Sequence, residues 1–251
     1  MFFCIRAMKK IELIIQIYYK RFEKILNKFH IQLGLLVMLF YRLPFNGQQK
    51  RKELFSELLE LSFSAIVETG MFIGSSTRYF SFSSEAEVYA VEKNSIYYWL
   101  ASLRFKRMNN IHIFLSDSRR FLMQLRDNRF FPKKNVLFYL DAHGRDLPLS
   151  EEVNIITQNW SQFVIVIDDF EVPCDDGYHF NNYKGKVAFN LKCFGFDKIK
   201  DIVLFSPSAL SSSETGFKRG CIVLISKDSL LARASELKSL RVYPIKAHYE
   251  P

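Results

Sequence analysis

The sequence predicts an α/β fold: a mostly parallel seven-stranded sheet with helices on both faces and a closing antiparallel β-hairpin, preceded by N-terminal amphipathic helices. Three observations carry this expectation. Seven short apolar runs of strand length recur between residues 60 and 226. The first five are separated by stretches of 15 to 25 residues with helix-like content, and strands alternating with helices imply a parallel sheet. The last two are joined by S-P-S-A-L-S-S-S-E-T-G-F-K-R-G, a turn-rich loop without helical periodicity, which reads as a hairpin connection.

In chain order the expected strands are Ala65 to Glu68, Val88 to Glu92, Ile111 to Leu115, Val136 to Asp141, Phe163 to Asp168, Ile202 to Phe205 and Cys221 to Ile225. Ser95 to Arg107 and Ser118 to Arg129 exemplify the helices between them. The division expected is a basic helical segment, residues 1–55, ahead of an α/β domain, residues 56–251.

The charge supports that division. The chain of 251 residues carries a net +9, and residues 1 to 52 hold eleven bases against two acids, while the remaining 199 residues are neutral. Between residues 11 and 29, apolar side chains at Ile11, Ile15, Tyr18, Phe22, Ile25 and Phe29 follow helical spacing with lysines between them. The apolar run Leu33 to Tyr41 is half the length needed to cross a bilayer core, about 18 to 20 residues. Two readings stand for residues 9–45: peripheral contact with a membrane surface, or helices that pack on the following domain or form a homo-oligomer contact. A nucleic-acid partner is not expected, because the charge lies on one helix and the aromatics beside it have core spacing. Four dispersed cysteines without a C-x-x-C pair and the lack of a signal-peptide pattern suggest a cytoplasmic chain, with the inner face of the membrane as the peripheral alternative.

The strand ends are the functional signal. The first five strands finish at Glu68, at Glu92, at or just before Asp117, at Asp141, and at Asp168 and Asp169. Ligands of open α/β sheets bind outside the carboxyl ends of the strands. Each acid taken singly also reads as the N-cap of the next helix. After the first strand comes E-T-G-M-F-I-G-S-S-T-R, in which Gly70 and Gly74 permit a tight turn and Ser75 can begin a helix whose free N–H groups face a ligand. The loop lacks the middle glycine of G-x-G-x-x-G and the lysine of the P-loop, which disfavours a dinucleotide pyrophosphate. Glu92, 24 residues after Glu68, is placed to accept from ribose hydroxyls, and Asp117 from a purine amine. Together these describe a site for an adenosine carrying something other than a pyrophosphate. Asp141, Asp168 and Asp169 offer hard oxygens suited to Mg²⁺, and His143 has a pKa range suited to a base near neutrality.

On these residues the chain resembles the class I S-adenosylmethionine-dependent methyltransferases, a Rossmann-like family, over about residues 60 to 226. E-T-G-x-x-x-G-S-S-T is similar to the family's first motif, V-Y-A-V-E-K to its second, and the closing hairpin to its signature strand pair. F-Y-L-D-A-H-G, P-L-S-E-E and V-I-V-I-D-D-F-E-V-P resemble the small-molecule O-methyltransferase branch that includes the macrocin and cephalosporin-hydroxylase-like enzymes. The resemblance implies S-adenosylmethionine as cofactor, held around Glu68, Gly70, Gly74, Ser75, Glu92 and Asp117. It implies a small hydroxylated acceptor, Asp141 and His143 as catalytic groups, and Asp141, Asp168 and Asp169 as ligands of Mg²⁺. Here the branch's D-G-x-H is shortened to D-A-H. A catalytically silent domain recruited through the basic helix is the competing expectation, and Glu171, Tyr178 and His179 are candidates to line an acceptor pocket.

Overall fold

The computed structural model describes residues 43–142, 147–182, 188–193 and 201–244. The amphipathic segment through residue 42 and His143 lie outside the described residues. Helix α1 (Gln49–Leu59) is followed by β1 (Ala65–Thr69), α2 (Ser75–Ser83), β2 (Glu87–Glu92), α3 (Ser95–Phe105), β3 (Ile111–Leu115), α4 (Ser118–Asp127), β4 (Val136–Leu140), α5 (Leu149–Asn159) and β5 (Phe163–Asp168). The chain then forms β6 (Ile202–Pro207), β7 (Cys221–Ser226), α6 (Ser229–Ala234) and β8 (Leu240–Val242).

The sheet has eight strands in the order β3-β2-β1-β4-β5-β7-β6-β8, with β1 to β5 parallel. β7 runs antiparallel to β5 and to β6, as the turn-rich loop between the last two expected strands implied. The expectation of seven strands is corrected by β8, which pairs with β6 from Phe205↔Val242 to Pro207↔Leu240. Three residues, Leu-Arg-Val, are too short to show a period, so pairing with an edge strand decides this element.

The apolar runs are continuous because β1, β4, β5 and β7 are buried along their whole length. One core cluster joins Ile66, Leu137, Tyr139, Val164 and Val166 to Phe80 of α2, Ala101 of α3 and Leu230 of α6. The opposite cluster joins Val67, Phe138 and Ile165 to Leu122 of α4 and Ile156 of α5.

The domain boundary at residue 55 is also corrected. The compact unit that contains the sheet begins at Leu43. Leu54, Phe55 and Leu58 of α1 are buried in the first cluster, and the Phe45 ring stacks on Phe55 at 4.4 Å. Burying each such side chain contributes roughly 1.5 to 3 kcal/mol, so α1 is part of the core and not an appendage. Among the described residues no helix is long and apolar enough to cross a membrane.

Candidate functional site

β1 pairs with β2 on one side and β4 on the other, so the strand order reverses between β1 and β4. The connections out of these strands diverge there and leave a crevice at their carboxyl ends. The glycine loop sits on this switch point. Gly70 has φ +76°, and a Cβ on it would lie 2.5 Å from the Asp141 carbonyl oxygen. Only glycine lets the loop pass so close to the end of β4. Gly74, at φ +78°, is the residue before α2, and its Cβ position is filled by the Phe105 ring of α3. Phe72 adopts φ 53° and packs on Tyr97 at 4.2 Å, while Arg104 donates to the Ile73 carbonyl at 3.0 Å. The loop is therefore clamped against α3.

The acids expected to meet a cofactor are all engaged within the fold. Glu68 is buried and accepts from the Ser76 hydroxyl and, at 2.5 Å, from that of Thr77, which ties β1 to the start of α2. Burial pushes its carboxyl up to about 7 against the opposing effect of these two bonds, and the Glu92 charge adds to the rise. Glu68 thus organises the loop from behind. Glu92 accepts from the Phe72 N–H at 2.9 Å and the Asn94 N–H at 2.7 Å. A carboxylate has about four acceptor positions, so Glu92 retains capacity for a ligand. Asp117 caps α4 through the Arg119 N–H and receives the Arg119 guanidinium on both oxygens at 3.0 Å. The Arg119 hydrogen bond holds its carboxyl below the usual range, although burial opposes this. Ser75 is the first residue of α2, with the Arg104 guanidinium near its hydroxyl.

The β5 end differs. Asp168 is buried in an ion pair with Arg51 of α1 and accepts from the Tyr139 hydroxyl at 3.1 Å. Burial first, then the charges of Asp168 and Asp141, push the Tyr139 hydroxyl well above its ordinary value, which keeps it a donor. The second Arg51 nitrogen donates to the Arg219 carbonyl at 2.8 Å, and the Arg219 side chain pairs with Asp169 and with Asn181. Asp169 itself takes a left-handed conformation, φ 56°.

A divalent cation seeks several hard oxygens without competing positive charge nearby. Asp168 and Asp169 each already face a guanidinium, and a cation between them would meet two of these. Among the described residues no group of three or more His, Cys, Asp and Glu side chains is arranged to hold a metal. The described residues, with Asp168 and Asp169 each paired to an arginine, do not fit Mg²⁺.

Sequence reasoning missed Arg51, Arg219, Tyr139 and Glu152. In the sequence Arg51 is one of eleven bases in residues 1 to 52, and nothing local marks it as buried. Glu152, the last residue of P-L-S-E-E, is 1% exposed. Burial pushes its carboxyl up to about 7, the dominant effect on this group. Neither Glu152 Oε1 nor Thr69 Oγ1 has a hydrogen-bond partner among the described residues.

Farther along the same edge, a cleft of about 330 Å³ lies between the end of β6 and the start of α1, lined by Lys50, Glu57, Tyr178, Glu214 and Lys238. Of the three candidates on the loop after β5, Tyr178 points inward, its hydroxyl donating to the Ala209 carbonyl at 3.1 Å. His179 is exposed and Glu171 half-buried.

This architecture recurs in solved structures. An O-methyltransferase from Bacillus cereus, solved in complex with SAH, superposes with a TM-score of 0.52 at 16% identity, covering 77% of this chain and 89% of that one. TomG from Streptomyces achromogenes, an O-methyltransferase involved in tomaymycin synthesis and solved with SAM, gives 0.51 at 12% identity over 78% and 89%. A putative O-methyltransferase from Klebsiella pneumoniae gives 0.51 at 12% over 74% and 84%. The chain has the class I methyltransferase fold. No family model matches the sequence, and no curated protein matches it. At these identities the methyltransferase fold is what the likeness shows, and its chemistry must be argued from the residues.

Proposed function

We propose that this chain is an S-adenosylmethionine-dependent methyltransferase acting on a hydroxyl of a small acceptor, such as a sugar, glycolipid or natural product, without Mg²⁺. The observation that carries the reading is the glycine loop at the switch point, with the Glu92 carboxylate bonded to the loop's Phe72 N–H at 2.9 Å. Loop and ribose acid are thereby held as one rigid unit before any cofactor arrives, which lowers the ordering cost of binding. SAH is bound in the B. cereus structure and SAM in the S. achromogenes structure, which supports the same ligand class here.

In the proposed reaction the acceptor oxygen attacks the sulfonium methyl in line. The new C–O bond forms as the C–S bond breaks, its electrons remain on sulfur, and the acceptor's proton leaves to a base. Asp141, at the mouth of the switch point, and His143, two residues on, are the groups proposed for proton removal. The polar cleft beside Tyr178 is proposed to receive the rest of the acceptor, since its mixture of Lys50, Glu57, Glu214 and Lys238 suits several hydroxyls. Asp168 and Asp169 act as anchors of the edge through Arg51 and Arg219, not as metal ligands.

Calorimetry with S-adenosylhomocysteine on the full chain tests the reading. Saturable binding that EDTA leaves unchanged is expected, and no heat at millimolar ligand sinks it. A catalytically silent domain is the second reading, favoured because each strand-end acid from Glu68 to Asp169 is already engaged or close-packed; loss of binding in that experiment would select it.

A further inference from the structure

Helix α3 buries Leu100, Ala101 and Phe105 against the sheet. Its other face carries Ile96, Trp99 and Leu103, which are 60%, 56% and 53% exposed. Steps of three and four residues align them in one stripe, about 10 Å long at 1.5 Å per residue. Single exposed apolar residues are ordinary, but a stripe of large ones with a tryptophan at its centre marks an interaction surface. Phe82 of the neighbouring α2 is also exposed, with the Arg78 guanidinium 4.8 Å from its ring, and so is Leu115 at the end of β3.

Charge decides what this face fits. From Lys93 to Met108 the chain holds Lys93, Arg104, Lys106 and Arg107 and no acid. Lys93, Lys106 and Arg107 are exposed, at the two ends of the stripe. Residues 1–42, with eight bases and two acids, have the same sign and are not complementary to it. A second copy of the face would bring like charges together. An anionic lipid surface satisfies both features: the stripe enters the headgroup boundary, where tryptophan is favoured, and the cations meet lipid phosphates.

We infer that the Ile96–Trp99–Leu103 face of α3 docks on anionic membrane surfaces. The inference stands whether or not the chain transfers methyl groups. Ile96 lies four residues after Glu92, so docking turns the β2 side of the carboxyl edge toward the headgroups.

The chain has two tryptophans, and Trp160 is 2% exposed, so a change in emission on lipid binding reports Trp99. The full chain is titrated with vesicles of phosphatidylcholine alone and with vesicles containing about 30% phosphatidylglycerol, enough to set an anionic surface potential. A blue shift and protection from acrylamide are expected with the anionic vesicles only. Ile96→Ser with Leu103→Ser keeps Trp99 and should abolish the shift. Lys106→Glu with Arg107→Glu leaves the stripe intact and should weaken vesicle affinity about tenfold or more, which keeps the test usable if the serine pair misfolds. Three outcomes overturn the inference: no binding to anionic vesicles; co-sedimentation with unmoved Trp99 emission, which places attachment elsewhere; or a blue shift that grows with protein concentration without lipid, which places a second copy on the face.

Discussion

The two halves of the carboxyl edge hold their acids in different ways. On the β1–β2 side, Glu68 rests on two hydroxyls and Glu92 on two backbone N–H groups, all neutral donors. On the β5–β7 side, Asp168 and Asp169 rest on the guanidinium groups of Arg51 and Arg219. Neutral donors leave a carboxylate's charge in place, or let burial protonate it, whereas a guanidinium cancels it. The first half therefore keeps acceptor capacity at Glu92 beside the loop, whereas in the second each aspartate is already matched by an arginine.

The comparison breaks most visibly at the buried ion pair. Arg51→Met leaves Asp168 charged in the core and should cost about 3 to 5 kcal/mol in equilibrium urea unfolding. Adding Asp168→Asn should cost less than the two single changes summed, because the partners interact directly. A loss below about 1 kcal/mol for Arg51→Met would mean that water reaches Asp168 and that the two halves do not differ as described.

Burial that outweighs the neighbouring hydroxyls and the Arg119 charge predicts an effect of pH. Glu152 is held at about 7 against an ordinary 4.5, so the folded state binds its proton more tightly than the unfolded chain does. The resulting stabilisation is complete below about 4.5 and is lost as pH rises through about 7. Glu152→Gln keeps the shape and removes the titration. Relative to the parent chain it should gain stability on going from pH 4 to pH 8, by up to about 3 kcal/mol at 1.36 kcal/mol per pH unit. Urea unfolding of both chains across that range measures the difference, and parallel curves would show that Glu152 has an ordinary pKa.

The smallest expected effect concerns binding. Glu92→Ala should weaken S-adenosylhomocysteine by about 1 to 3 kcal/mol, whereas Asp169→Asn should leave it within about 0.5 kcal/mol, since only the first belongs to the loop side. Equal losses by calorimetry would mean that the edge behaves as one electrostatic unit.

Much of the fold was legible because burial leaves local marks. Val136 to Leu140 and Phe163 to Ile167 are apolar without interruption because helices cover both faces of the sheet, and Gly70 and Gly74 announce positive φ where the chain turns over the switch point. The convergence of Glu68, Glu92, Asp117, Asp141 and Asp168 on one edge follows from parallel strands alone. What each acid does there was not legible. Arg51 lies 117 residues from Asp168, and nothing in a basic N-terminal stretch signals that one of its arginines is drawn into the core. The burial of Glu152 and the pairing of β8 are of the same kind. Sequence periodicity reports which face of a segment is covered, and it determined the sheet, the loop and the edge. Which charged group meets which depends on elements brought together across the whole chain, and so the tertiary structure decided that the β5 acids are neutralised by arginines.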